Sequence, residues 1–188
     1  AGGLRCYCAP GFGGSACSLQ LGSALRFNGE GNLMEVPAMD AAEDLTVEMW
    51  IYPKVLGGWR SLYSTKDWQT GSLLIQFAGA DQIEVAVGGN KPKEVKFQYR
   101  FKSRTWHHVA VVYSRGRRLV QLVVNDKVEE QADFQEAALL NMKPAWLGGW
   151  QGGLRWFAGD IDELRVWNAV RSPRQIRAAA GMELEGKE

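Results

Sequence analysis

The sequence has no apolar run approaching the roughly 20 residues that would cross a bilayer as a helix, and it opens with no charged-then-apolar secretory leader. Neither sign of charge is in excess. Its 22 basic residues are interspersed with 21 acidic ones, so no long-range field favours nucleic acid or an anionic membrane. An Asn-x-Ser/Thr acceptor for N-glycosylation is absent throughout. Cysteine is absent after Cys17. Most of the 188-residue chain must therefore hold itself together by burial, and a hydrophobic content of 46% is enough for one full-size core.

What is present divides in two. Residues 1–18 contain all three cysteines, Cys6, Cys8 and Cys17, in a stretch too rich in Gly and too poor in aliphatics to keep a shape without a covalent or metal link. Three thiolates with no nearby His leave a zinc site one ligand short. From residue 19 to 188 the pattern is all-β: short runs of alternating or β-branched and aromatic residues, punctuated by Gly, Asn and Asp. The runs predict strands at 24–27, 33–36, 45–52, 60–64, 73–77, 83–87, 94–98, 105–113, 119–124, 127–134, 144–147 and 160–167. About a dozen strands imply two packed antiparallel sheets rather than a small barrel. Asn125-Asp126 is read as a tight hairpin turn. One helix is signalled by Ser172 as cap, Pro173 at the first position and Gln175 completing a capping box, with Gly181 as its stop.

The spacing Cys6-x-Cys8-x8-Cys17, with Gly11-Phe12 and Gly14 between, resembles the C-terminal half of an EGF-like module. That resemblance implies a disulfide between Cys8 and Cys17, with the partner of Cys6 upstream of Ala1. Further on, several segments in order resemble the laminin G-like, concanavalin A-type jelly roll: Ala24-Leu-Arg-Phe-Asn-Gly29, Leu45-Thr-Val-Glu-Met-Trp-Ile-Tyr-Pro53, Trp106-His-His-Val-Ala-Val-Val-Tyr113, Leu122-Val-Val-Asn-Asp126 and Phe157-Ala-Gly-Asp-Ile-Asp-Glu-Leu-Arg-Val-Trp-Asn168. The resemblance implies a two-sheet jelly-roll sandwich with a short C-terminal helix, preceded by the disulfide-stapled fragment. It places the protein outside the cell, secreted or on the cell surface. The fold hosts lectins, adhesion modules and some glycosidases, so function has to be read from sites.

Jelly-roll glycosidases carry acids at alternate positions of one strand. Asp160 and Asp162 share a face, but Leu164 follows on it and Glu163 points the other way, so hydrolysis is not expected and no catalytic residue is assigned. His107 and His108 lie in a strong strand and are read as structural. If a cofactor is bound it is Ca2+, held by Asp160 and Asp162 with oxygens from Asn28, Gly29 and Glu30; the competing reading has Asp162 accepting loop amides and Asp160 solvated. Asp40, Glu43 and Asp44 are read as a solvated turn.

Tryptophan is the strongest pointer to a ligand, at eight per chain. Trp50, Trp106 and Trp167 sit among Met, Val and Leu and are read as core. Trp59, Trp68, Trp150 and Trp156 sit on glycine-rich loops, where exposed rings stack on sugars or anchor interfaces. Gln151 and Arg155 add hydrogen-bonding groups beside them. The competing reading folds these loops back as caps on the sandwich. Two basic clusters, Arg100, Lys102, Arg104 and Arg115, Arg117, Arg118, would attract a polyanion only if they converge. The expectation is an extracellular binding or adhesion module for a glycan or a protein, the rival being a structural module packing on parent-chain domains or on copies of itself. Nucleic acid and membrane insertion are not expected.

Overall fold

The computed structural model describes residues 24–125, 127–150 and 153–181, together with two short strands nearer the N-terminus. Cys6, Cys8 and Cys17, with the expected Cys8–Cys17 bridge, lie outside the described residues, as does Gln151. The short strands β1 (Phe12–Gly13) and β2 (Leu19–Gln20) pair with each other. The domain itself is built from β3 (Leu25–Asn28), β4 (Met34–Val36), β5 (Asp44–Pro53), β6 (Trp59–Thr65), β7 (Leu73–Ala78), β8 (Gln82–Val87) and β9 (Glu94–Gln98). It continues through β10 (His107–Ser114), β11 (Leu119–Val124), β12 (Lys127–Asp133), β13 (Ala145–Leu147) and β14 (Ala158–Trp167), and ends in helix α1 (Pro173–Ala179). These form two six-stranded antiparallel sheets, β12-β11-β10-β5-β14-β3 and β4-β13-β6-β7-β8-β9.

Between the sheets, alternation sends Leu45, Val47, Met49 and Ile51 of β5 against Leu73, Ile75 and Phe77 of β7 and Ile83, Val85 and Val87 of β8, in one continuous core. Phe77 is its aromatic centre, edge-on to Phe101 at 5.0 Å and stacked with Phe157 at 6.4 Å. The expected strand over 105–113 starts later, at His107. The chain first turns through Arg104, whose φ is 55° and whose N–H donates to the Pro53 carbonyl, leaving the Trp106 ring against Tyr52.

The outer face of the first sheet is covered by α1. Its N-terminus is closed by the reciprocal Ser172–Gln175 capping box, and Ile176 and Ala179 are buried. At its other end the Ala180 carbonyl accepts from the Trp50 indole at 2.7 Å and the Ala179 carbonyl from Arg165 at 2.6 Å, satisfying groups that a helix terminus leaves open. Trp50, expected in the core, is thus buried outside the inter-sheet layer. Trp106 and Trp167 are half-buried on that same outer face: Trp50 and Trp167 fall on the outward phase of β5 and β14, and Trp106, just before β10, packs its ring on Tyr52. Beneath the helix lie His108 and a fully buried Glu48, which accepts from the Trp167 indole at 2.6 Å. Burial raises the Glu48 pKa, against the Trp167 hydrogen bond and the Arg165 and Arg171 charges. Burial, and then the nearby Arg165 charge, lowers that of His108 to about 4.

The connection from β13 to β14 is anchored at its start by Gly148. Gly148, at φ 84°, donates to the Leu62 carbonyl and accepts from Phe157, and an added Cβ would fall 2.3 Å from the Phe27 ring. Gly148→Ala combines a left-handed backbone with a clash in the core and is expected to lower unfolding free energy by about 2 to 4 kcal/mol in a denaturant titration. His108 supplies a pH signature. Between about pH 6.5 and 4 the unfolded chain binds a proton that the folded chain refuses, so this group's contribution is full above the unfolded pKa and is lost as pH falls, by on the order of 3 kcal/mol. Glu48, with its raised pKa, acts in the opposite sense from about pH 4.5 upward, so the comparison with His108→Asn isolates the histidine. Urea melts at pH 7 and 4.5 should show a smaller acid loss in the variant; equal losses would place its source elsewhere.

Candidate functional site

Among the described residues no helix covers the outer face of the second sheet. Strand β6 carries a bulge between Ser61 and Tyr63, so Leu62 and Tyr63 both enter the core while Ser61 and Ser64 turn outward. The registers Gln76↔Glu84↔Lys96 and Leu74↔Ala86↔Glu94 lay two rows of outward side chains across β7, β8 and β9. Loops raise walls around these rows: Trp59 at the start of β6, Trp68 between β6 and β7, Lys93 before β9, and Trp150 and Arg155 from the β13–β14 connection. Together they enclose a groove of about 490 Å3.

Its floor is a polar relay. The Arg155 Nη1 donates to Gln76 Oε1 at 2.9 Å, Gln76 Nε2 donates to Glu84 Oε1 at 2.7 Å, and Lys96 Nζ lies 3.7 Å from Glu84 Oε2. Gln76 and Glu84 are buried although they face outward, because the loop side chains cover them. Among the described residues, Glu84 Oε2, Ser61 Oγ and the Trp150 Nε1 have no hydrogen-bond partner. Buried polar atoms left open in this way cost about 1 to 3 kcal/mol each until water or a ligand meets them.

The walls pair rings with cations. The Arg155 guanidinium lies 4.2 Å from the Trp150 ring centre and 5.1 Å from that of Trp59; Lys96 lies 5.4 Å from Trp59, and Lys93 lies 5.1 Å from Trp68. Arg155 itself sits at φ 56°, a left-handed conformation unusual for a side chain of this size. Its carbonyl accepts from the Ser61 N–H at 2.8 Å. Trp59 remains 46% exposed, the largest open aromatic surface among the described residues.

Four of the six residues expected to contact a ligand, Trp59, Trp68, Trp150 and Arg155, therefore meet in one groove. Trp156 does not join them. Its carbonyl accepts from Arg60, and its ring closes over Gly149, where an added Cβ would come within 3.0 Å. Sequence reading missed Gln76, Glu84, Lys93 and Lys96. A signal existed for two of them: a hairpin turning about residues 79–81 places Gln76 opposite Glu84, and a facing polar pair flanked by aliphatics is a floor position.

The residues expected to hold Ca2+ lie on the opposite face of the sandwich and do not fit it. Asp160 Oδ1 accepts from Arg26 Nε at 3.0 Å and Lys54 Nζ at 3.1 Å, so a divalent cation there would face two positive charges. Asp162 Oδ1 accepts from the Glu163 N–H, and Asn28 Oδ1 from the Glu30 N–H. Gly29, at φ 85°, closes a turn against Ala158. Among the described residues no three His, Cys, Asp or Glu are grouped to hold a metal. Glu43 pairs with Arg115, and Asp44 accepts from Ser114. The two basic clusters stand at opposite ends of β10, roughly 25 Å apart, and do not converge. Both histidines are buried, His107 with its pKa lowered by burial and its Nε2 3.1 Å from the Lys102 carbonyl.

Residues 28–177 match a laminin G-like family model described as the concanavalin A-like lectin/glucanases superfamily. No curated protein matches the chain in sequence. Among solved structures, the carbohydrate-binding module CBM40 of a Ruminococcus gnavus sialidase, bound to α2,3-sialyllactose, superposes with a TM-score of 0.68 at 19% identity, covering 86% of this chain and 97% of that one. Domain 4 of an extracellular arabinanase from Geobacillus stearothermophilus, in complex with arabinotriose, gives 0.65 at 17% identity over 88% and 84%. A pentraxin from Limulus polyphemus gives 0.66 at 15% over 82% and 80%. At these identities the likeness is one of fold. With four-fifths of its length under the family model, the chain belongs to the concanavalin A-like lectin/glucanases superfamily.

Proposed function

We propose that this is a non-catalytic glycan-binding module whose ligand lies in the groove over β7, β8 and β9. The observation that carries the reading is the pairing of tryptophan walls with a floor that has hydrogen-bonding atoms to spare. Sugars present apolar C–H faces and hydroxyl edges together, and Trp59, Trp68 and Trp150 suit the first while Glu84 Oε2 and the Trp150 indole N–H suit the second. The fold neighbours that bind sialyllactose and arabinotriose support the ligand class. Absence of hydrolysis is supported by the engagement of Glu84 with Gln76 and Lys96, and by the orientation of Asp160 and Asp162 away from the groove. The pairing of Asp160 with two cations supports binding that needs no Ca2+. The grouped cysteines support an EGF-like stub before the domain, and with it an extracellular setting.

A glycan array probed with the purified chain, once with millimolar Ca2+ and once with chelator, should give saturable binding that is the same in both buffers. Trp59→Ala and Trp150→Ala should each weaken it by about tenfold or more, equivalent to ~1.4 kcal/mol, without change in far-UV circular dichroism. Glu84→Gln should weaken it comparably, because a charge-assisted hydroxyl contact is worth about 1.5 to 3 kcal/mol. Silence on the array in both buffers would reject the groove as a glycan site. Loss of binding in chelator alone would bring a metal back into it.

A further inference from the structure

We infer that the groove selects an acidic saccharide, one bearing a carboxylate or a sulfate group, which sits against Arg155 at one end with its charge shared toward Lys93 at the other. The inference rests on the groove being the glycan site.

Three cations and two carboxylates line the groove. Glu84 is taken up by Gln76 and Lys96 in the floor. Arg155 is not matched in the same way. Its hydrogen bond runs to the neutral amide oxygen of Gln76, and among the described residues no carboxylate lies within ion-pair distance of it. The guanidinium is half-buried between two indoles, a setting that removes water from a charge without supplying a counter-charge. Lys93 is likewise held over Trp68 with no ion pair among the described residues, although Lys91 two positions earlier is paired with Glu136 at 2.7 Å. On the acidic side only Glu94, exposed on the rim, remains without such engagement. The surplus in the groove is therefore positive.

The geometry narrows what meets it. A guanidinium presents parallel N–H donors that match the two oxygens of a carboxylate or a sulfate, and here its plane is fixed by rings and by Gln76, so little rotamer freedom is lost on binding. A sugar ring against Trp59 would bring such a substituent beside Arg155. A neutral sugar in the same place would satisfy the indole faces and leave the guanidinium uncompensated.

The test compares matched pairs by calorimetry: sialyllactose with lactose, oligogalacturonate with its methyl ester, and 3'-sulfated lactose with lactose. The acidic member of at least one pair should bind tenfold or more tightly than its neutral partner, and the carboxylate and sulfate pairs identify which group is read. That advantage should shrink severalfold between about 0.05 and 0.5 M NaCl. Arg155→Lys, which keeps the charge but loses the fork, should retain part of the advantage, and Arg155→Met should abolish it. Lys93→Met, on the exposed rim and outside the packed floor, should reduce it even if the Arg155 variants fold poorly. Equal, tryptophan-dependent binding of acidic and neutral partners would overturn the acidic preference and leave the glycan site standing. If no member of any pair binds, both readings fall together.

Discussion

The groove hangs on one backbone hydrogen bond, from the Ser61 N–H to the Arg155 carbonyl. Ser61 faces Gln76 across the β6–β7 ladder and stands beside the bulge, whose extra residue Leu62 lets Leu62 and Tyr63 both enter the core. Fixing the Arg155 backbone at φ 56° against β6 sets its side chain over Gln76 and between Trp59 and Trp150. The backbone of β6 thereby sets the placement of a charge on the surface. The Gly148 contact with Leu62 secures the same loop one step earlier, and only a residue without Cβ can pass so close to Phe27.

The two outer faces of the sandwich solve the same problem differently. Each sheet has polar residues on its outward phase that end up buried: Glu48 and His108 in one, Gln76 and Glu84 in the other. The first face is sealed by a helix whose own carbonyls are satisfied from beneath by Trp50 and Arg165, so its polar cluster is sequestered and serves the fold. Loop side chains roof the second face, and their rings leave a 490 Å3 space and unmet donors and acceptors. Sequestered polar groups stabilise only through one another; groups bordering an open groove are available to a third party. That difference in covering is what separates structural from functional polarity here.

Much of this was legible in the sequence. The strand positions followed from alternation, because an antiparallel sandwich imposes period two wherever one face is buried, and the helix followed from Ser172, Pro173 and Gln175, whose capping chemistry is local. Of the four tryptophans on glycine-rich loops, Trp59, Trp68 and Trp150 line one groove. What failed was pairing across distance. Asp160 and Asp162 suggested a cation site because two acids close in sequence were visible, while Arg26 and Lys54, which meet Asp160 from other strands, were not. The floor residues failed for the same reason: a lone Gln or Glu inside an apolar strand reads as a solvated position until the hairpin register sets Gln76 against Glu84. Trp156 shows the converse, since its loop is as glycine-rich as that of Trp150, yet Gly149 offers its ring a seat against the backbone.

The cations over the groove rings bear on affinity as well as on charge. An exposed tryptophan ordinarily loses side-chain freedom when a ligand stacks on it, which subtracts from the contact. Here Arg155 and Lys96 rest on Trp59, and Arg155 also rests on Trp150, contacts worth about 0.5 to 1 kcal/mol each at exposed sites. They hold the rings in place before any ligand arrives. The same guanidinium is tied to the floor through Gln76, so the rings, the charge and the floor acceptors share one rigid frame. Loosening Arg155 would therefore cost binding twice, once through the lost donor fork and again through the freed rings, and a double-mutant cycle between Arg155 and Trp59 should show strong coupling rather than additivity.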